Sequence, residues 1–252
     1  MSALLLLILL LLLPVLSFGQ DVHGTFIFAG HCKEGIVALV DSRLGIPSDF
    51  PGRDLCYVEN FDKTIILGES VIITAGQGAI DGVSLGNIFT ELPSGMGLGT
   101  LDHFTMALNA SECLPMNKFI SIEKSDGRYG LYFSNRGSPA KKVEYGFLEN
   151  HDSLVMTYNT DLPCRTVASI VTDALKDVQQ RSPIERINTD LTEIYVESNQ
   201  LSIERGNNTV HWDDFTEMYK DLSEGKVPYV VAKGQWAPNV KAELRFRYEA
   251  RK

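Results

Sequence analysis

The chain lacks an excess of positive charge. Lysine and arginine number 23 against 32 aspartates and glutamates, for a formal net charge of −9. A surface of that sign repels phosphate backbones and anionic lipid, which argues against nucleic acid and anionic membrane faces as partners. No apolar run is long enough to span a bilayer. Residues 3–16 carry no charge, but they fall short of the ~20 residues a spanning helix needs, and Pro14 interrupts them. Cysteine is sparse, and none of Cys32, Cys56, Cys113 and Cys164 has the Cys-x-x-Cys spacing of a zinc or redox site. His23, His103, His151 and His211 are scattered without ligand spacing, so no metal is expected. There is no internal repeat, and no low-complexity tract after the first residues.

What is there begins with the leader. The apolar run ends in Ser17-Phe18-Gly19, which puts small residues at the −3 and −1 positions of a cleavage site. Residues 1–19 therefore read as a secretory signal peptide, and the expected destination is secretion or an endomembrane lumen. The only positive group ahead of the run is the α-amine, and an uncleaved leader acting as a membrane anchor is the alternative. In an oxidising compartment four cysteines suggest two disulfides, with three pairings open, and free buried cysteines are the plain alternative. Asn109-Ala-Ser111 and Asn207-Asn-Thr209 become glycosylation sequons in that setting. The remainder of the chain is long enough for one large domain with a substantial core.

Apolar patterning predicts strands at 25–31 and 36–41 around a Lys33-Glu34-Gly35 turn, and a hairpin over 63–75 turning at Gly68-Glu69. Between them, Gly45, Pro47, Pro51 and Gly52 break any periodicity, and 44–62 reads as irregular. Helices are predicted at 81–92, weakened by Gly82 and Gly86, and at 97–110. Strands follow at 117–123, 129–134 and 142–148. The clearest helix is 162–180, where Leu162, Val167, Ile170, Val171, Ala174, Leu175 and Val178 make an apolar stripe. Asp161 is its expected cap, with Pro163 in the first turn. Strands at 191–197, 200–204 and 208–211 and a helix at 213–222 complete the pattern, with no firm expectation for 225–252. The order supports an α+β fold.

Ahead of the first strand stands Gly24-Thr25. Cutting that bond would make Thr25 the first residue, with a hydroxyl nucleophile and an α-amine base on one residue. Asp41-Ser42-Arg43 follows sixteen residues after Thr25, then Lys63-Thr-Ile-Ile-Leu, then the Gly-rich Ala75-Gly76-Gln77-Gly78. This series resembles the start of a mature proteasome β-subunit, a family of N-terminal nucleophile hydrolases. The resemblance is clear over 24–81 and traceable to about 222.

The resemblance implies a four-layer αββα sandwich. It divides the chain into signal peptide 1–19, pro-segment 20–24, hydrolase domain 25–225 and C-terminal extension 226–252. It also implies a threonine-type peptidase that needs no cofactor. Thr25 would attack the carbonyl carbon. The Lys63 ammonium would favour the alkoxide and depress the α-amine pKa, and Asp41 would hold that ammonium. Backbone N–H groups at Gly76 and Gln77 would form the oxyanion hole. Thr25 would be exposed either by signal peptidase after Gly24 or by its own attack on the Gly24 carbonyl.

Elsewhere the chain departs from the family. The loop from Arg43 to Lys63 is longer and holds Cys56. Ser153 is the nearest counterpart of the family's later serine, and Glu185 and Asn188 stand where it has Asp and Ser. These departures keep a second reading alive, a catalytically inactive relative acting in binding or assembly. A third is an amidase for small acyl-amide substrates. In the bland reading Thr25 is a strand threonine, Asp41 a strand-end cap with Arg43 as its surface partner, and Lys63 an exposed strand-end lysine. Expected partners are a peptide or amide substrate and a homo-oligomer or ring with related secreted subunits. The membrane enters only if the leader is retained.

Overall fold

A computed structural model describes residues 25–47, 53–76, 79–80, 83–90, 118–135, 141–142, 154–157, 159–181, 187–207, 209–213 and 246–250. The predicted helix at 97–110 lies outside these residues, as does all but the start of the one at 213–222. The chain separates into two compact units. One comprises Met1–Asp41 with Tyr145–Glu204, the other Ser42–Glu144 with Arg205–Lys252.

In the first unit, β1 (Phe26–Cys32) and β2 (Gly35–Asp41) form the predicted hairpin, turning at Lys33-Glu34. β12 (Leu154–Thr157) runs parallel to β1. β13 (Leu191–Glu197) pairs with β2, and β14 (Gln200–Glu204) closes the sheet in the order β12-β1-β2-β13-β14. The β13–β14 turn is Ser198-Asn199, both with positive φ (51° and 60°), the geometry of a type I′ hairpin turn. Gly35 is fixed by crowding: a Cβ there would sit 1.9 Å from the Val196 carbonyl oxygen.

The long helix α2 (Cys164–Arg181) lies on one face of this sheet, burying Val167, Val171, Leu175 and Val178 against Phe26, Phe28, Leu39 and Tyr195. The opposite face, with Ile27, Ala38, Val40 and Ile194, is buried as well. Asp161 does not cap α2. The Cys164 N–H donates instead to Glu34 Oε2 at 3.0 Å, from the β1–β2 turn, which supplies the carboxylate that a helix N-terminus favours. Cys164 is also disulfide-bonded to Cys32, with a Cα–Cα distance of 5.2 Å. The Cys56 side chain and Cys113 are outside the described set.

In the second unit, β5 (Thr64–Leu67) and β6 (Ser70–Ala75) make the predicted hairpin through Gly68-Glu69, with Gly68 at φ 60°. They join β9 (Lys118–Ser125), β10 (Arg128–Asn135) and β11 (Lys141–Lys142) in the order β11-β10-β9-β6-β5. This sheet also buries both faces, Val71, Ile73, Ile120 and Ile122 on one and Ile72, Phe119 and Ser121 on the other.

The expectation of irregular chain over 44–62 is corrected. β3 (Leu44–Pro47) and β4 (Arg53–Val58) form an antiparallel pair, and β15 (Phe246–Ala250) of the C-terminal extension pairs with β4 from the other side. Among the described residues β3 is an edge strand, a position that tolerates the missing N–H of Pro47. The helix expected from Asp81 is shorter. Two residues each of β7 (Ala79–Ile80) and β8 (Val83–Ser84) precede α1 (Leu85–Thr90), which starts late because Ser84 caps it: its Oγ accepts the Asn87 N–H at 3.1 Å. Phe89 of α1 meets Phe119 edge-on. In place of the strand expected at 208–211, the described residues 209–211 show an isolated parallel bridge, Phe61 to Val210. Among the described residues no helix is long and apolar enough to cross a membrane. The leader is not among them.

Candidate active site

Pairing across the β1–β2 hairpin carries Asp41 back to the beginning of β1. The Asp41 side chain is fully buried, and its Oδ1 accepts the Phe26 N–H at 2.8 Å. Thr25, immediately before, is 6% exposed. The nucleophile candidate and its predicted carboxylate thus share one end of one sheet, joined by the amide of the residue between them. Leu191 of β13 is in register with Asp41, and Asn188, three residues earlier and 8% exposed, belongs to the segment leading into that same end. That segment is fixed to α2 by Gln179 Nε2, which donates to the Ile187 carbonyl at 2.7 Å.

In the second unit, Lys63 stands at the start of β5. It is not the exposed lysine of the bland reading but 3% exposed. Its carbonyl accepts the Thr74 N–H at 3.2 Å, so Gly76, two residues past Thr74, lies near the same end of the β5–β6 hairpin. Gly76 has φ 120°, a backbone that side-chain-bearing residues rarely adopt, so its predicted place in an oxyanion loop coincides with a glycine-only conformation. Gln77, Ser153, Glu185, Gly24 and Asn109 lie outside the described residues, and Asn207 is exposed. The Arg43 guanidinium pairs with Glu59 at 2.7 Å, at the base of the β3–β4 hairpin.

A cluster around Asp62 was not foreseen. Asp62 Oδ1 accepts the Thr64 N–H at 3.0 Å and the Thr64 hydroxyl at 2.6 Å. Oδ2 takes the Arg205 guanidinium, with His211 Nδ1 at 3.6 Å, an ion pair when protonated. Burial alone would push the Asp62 carboxyl up. The His211 contact, the Thr64 hydrogen bonds and the Arg205 charge outweigh that and hold it below the usual carboxylate range. Trp212 covers the cluster, donating Nε1–H to the Thr64 carbonyl at 3.0 Å and packing edge-on against Phe61 at 4.8 Å. No local pattern announces this, since Asp62 and Arg205 are 143 residues apart. The only hint is an Asp directly before the lysine.

For metal binding, Cys32, Glu34 and Cys164 place ligand atoms within 4.8 Å of one another. The two sulfurs are bonded to each other and the carboxylate caps α2, so the disulfide form has no thiolate to offer. Comparison of the chain with protein-family models gave no match, and comparison with curated proteins gave none.

Proposed function

We propose that the protein is a threonine-type N-terminal nucleophile hydrolase acting on peptide amides in an oxidising compartment. The observation that carries this reading is the buried Asp41 carboxylate bonded to the amide next to buried Thr25. After Gly24–Thr25 is cut, the Thr25 hydroxyl adds to the substrate carbonyl and passes its proton to the α-amine. The amide C–N bond then breaks, and the departing amine takes that proton. Water hydrolyses the resulting Thr25 ester and regenerates the hydroxyl. In this reading Lys63 supplies the ammonium that favours the alkoxide, Asp41 its counter-charge, and the Gly76 region N–H groups for the oxyanion.

Two further features support the fold this requires. Each five-stranded sheet carries a helix on one face and buries the other, as the inner layers of an αββα sandwich must. The Cys32–Cys164 disulfide suits a secreted chain. Assembly into rings with copies or secreted relatives is part of the proposal, and light scattering on the purified protein tests it.

The deciding experiment determines the mature N-terminus and compares Thr25→Ala with wild type on a peptide-amide panel. The expected result is a chain starting at Thr25 and a loss of at least ~10³-fold in the variant. Retention of Gly24, or an active variant, overturns the reading. A non-catalytic scaffold is the second reading, favoured by Asn188: it is buried at the Asp41 end of the sheet, yet a carboxamide cannot relay a proton as a hydroxyl does.

A further inference from the structure

Lys63 is held in place by a clasp that the chain supplies from far downstream. Three successive residues are each gripped by a different segment. The Phe61 N–H donates to the Ser42 carbonyl at 2.8 Å, the Asp62 N–H to the Val210 carbonyl at 2.9 Å, and the Thr74 N–H to the Lys63 carbonyl at 3.2 Å. The Val210 N–H in turn donates to the Asn60 carbonyl at 2.8 Å. On the side chains, the Asp62 carboxylate folds over Thr64, bracketing Lys63, and Arg205 closes the bracket by reaching both Asp62 Oδ2 and, at 3.3 Å, Thr64 Oγ1.

A lysine stem has four rotatable bonds, so a buried ammonium is placed no better than its backbone. A planar guanidinium spanning carboxylate and hydroxyl is a rigid fastener for that backbone, which a single point charge is not. We propose that Arg205, through Asp62 and Thr64, is a positioning residue for Lys63, and that the 205–212 strap is therefore part of the catalytic apparatus without touching substrate. This rests on the reading of Lys63 as the ammonium of a threonine hydrolase.

The test compares mature wild-type, Arg205→Lys and Arg205→Gln proteins by amide hydrogen exchange at Asp62 and Thr64 and by steady-state hydrolysis of a peptide amide. In Arg205→Gln both amides should exchange at least ~10-fold faster, and kcat should fall about 10- to 100-fold with KM nearly unchanged. Arg205→Lys should recover part of both. If Arg205→Gln does not fold, Thr64→Val replaces it, removing one hydroxyl of the clasp while leaving the ion pair, with the same directions expected.

Unchanged exchange overturns the clasp. Fast exchange with unchanged kcat, or a KM rise without a kcat loss, overturns its positioning role. An active Thr25→Ala protein would sink the hydrolase reading and the catalytic part of this one. In that case exchange at Asp62 and Thr64 still decides whether Arg205 fixes the lysine.

Discussion

Asp41 can be asked to separate its two jobs. In Asp41→Asn a side-chain oxygen remains where Oδ1 now accepts the Phe26 N–H at 2.8 Å. The bond survives but loses its charge. Hydrogen bonds to charged groups contribute about 1.5–3 kcal/mol and neutral ones about 0.5–1.5, so the expected destabilisation is about 1 kcal/mol. Asp41→Ala instead leaves the Phe26 N–H buried without an acceptor, which costs about 1–3 kcal/mol, and opens a small void in a fully buried site. Alanine should therefore be worse than asparagine by about 1–2 kcal/mol. Catalysis should not follow that ranking, because both variants remove the negative charge that the mechanism assigns to the ammonium. Both should lose at least ~10² in kcat, although asparagine stays nearly as stable as wild type. Urea unfolding and peptide-amide hydrolysis on the same preparations make the comparison. Wild-type turnover in Asp41→Asn would reduce Asp41 to a strand-end fastener. Equal destabilisation by asparagine and alanine would mean that the Phe26 bond is not what the side chain supplies.

Three more outcomes are expected. Reducing Cys32–Cys164, which closes a 132-residue separation, should lower stability by up to about 5 kcal/mol on the chain-entropy account, read from urea unfolding with and without reductant. The Asp62 carboxyl is held below its ordinary value, so its stabilisation is complete above the unfolded pKa of about 3.9 and is lost as pH falls through the folded one. Asp62→Asn should be less stable than wild type at pH 7, and the gap should narrow below about pH 4. A gap that stays constant in thermal melts from pH 2 to 7 would contradict this. In Gly86→Ala two effects compete. Alanine favours the α1 helix by about 1 kcal/mol, but its Cβ would lie 2.3 Å from Trp212 Cβ, and overpacking of that degree costs about 1–3 kcal/mol or more. With Trp212 fastened to Thr64 and Phe61, the clash should win, and a higher melting temperature would refute it.

Legibility in the sequence followed the range of the forces involved. The α2 stripe was readable because one 3.6-residue period governs Val167 through Val178, while the buried Cys164 and Ala168 were missed. The β5–β6 turn was readable from Gly68. The β1–β2 hairpin was readable too, and its pairing about Lys33-Glu34 already aims Asp41 at Phe26. β3 was hidden because Gly45 and Pro47 suppress the strand signal that an edge position tolerates. Glu34 as the cap of α2 was hidden because its amide partner is 130 residues away, and local sequence offered Asp161 instead. The Asp62–Arg205 pair fails the same way. Long-range polar contacts leave no periodic trace, and these are the contacts that set the candidate site.

β1 is an interior strand, hydrogen-bonded to β12 on one side and β2 on the other, and the disulfide pins its far end at Cys32. A break made just before Thr25 would therefore create a terminus with no freedom to recoil. The newborn amine would be delivered close to where the amide nitrogen already stood, because the next residue is tied down by the Phe26–Asp41 bond. On the proposed reading, maturation on such a scaffold would be a change of chemistry without a change of shape, and the precursor would be a cast of its product.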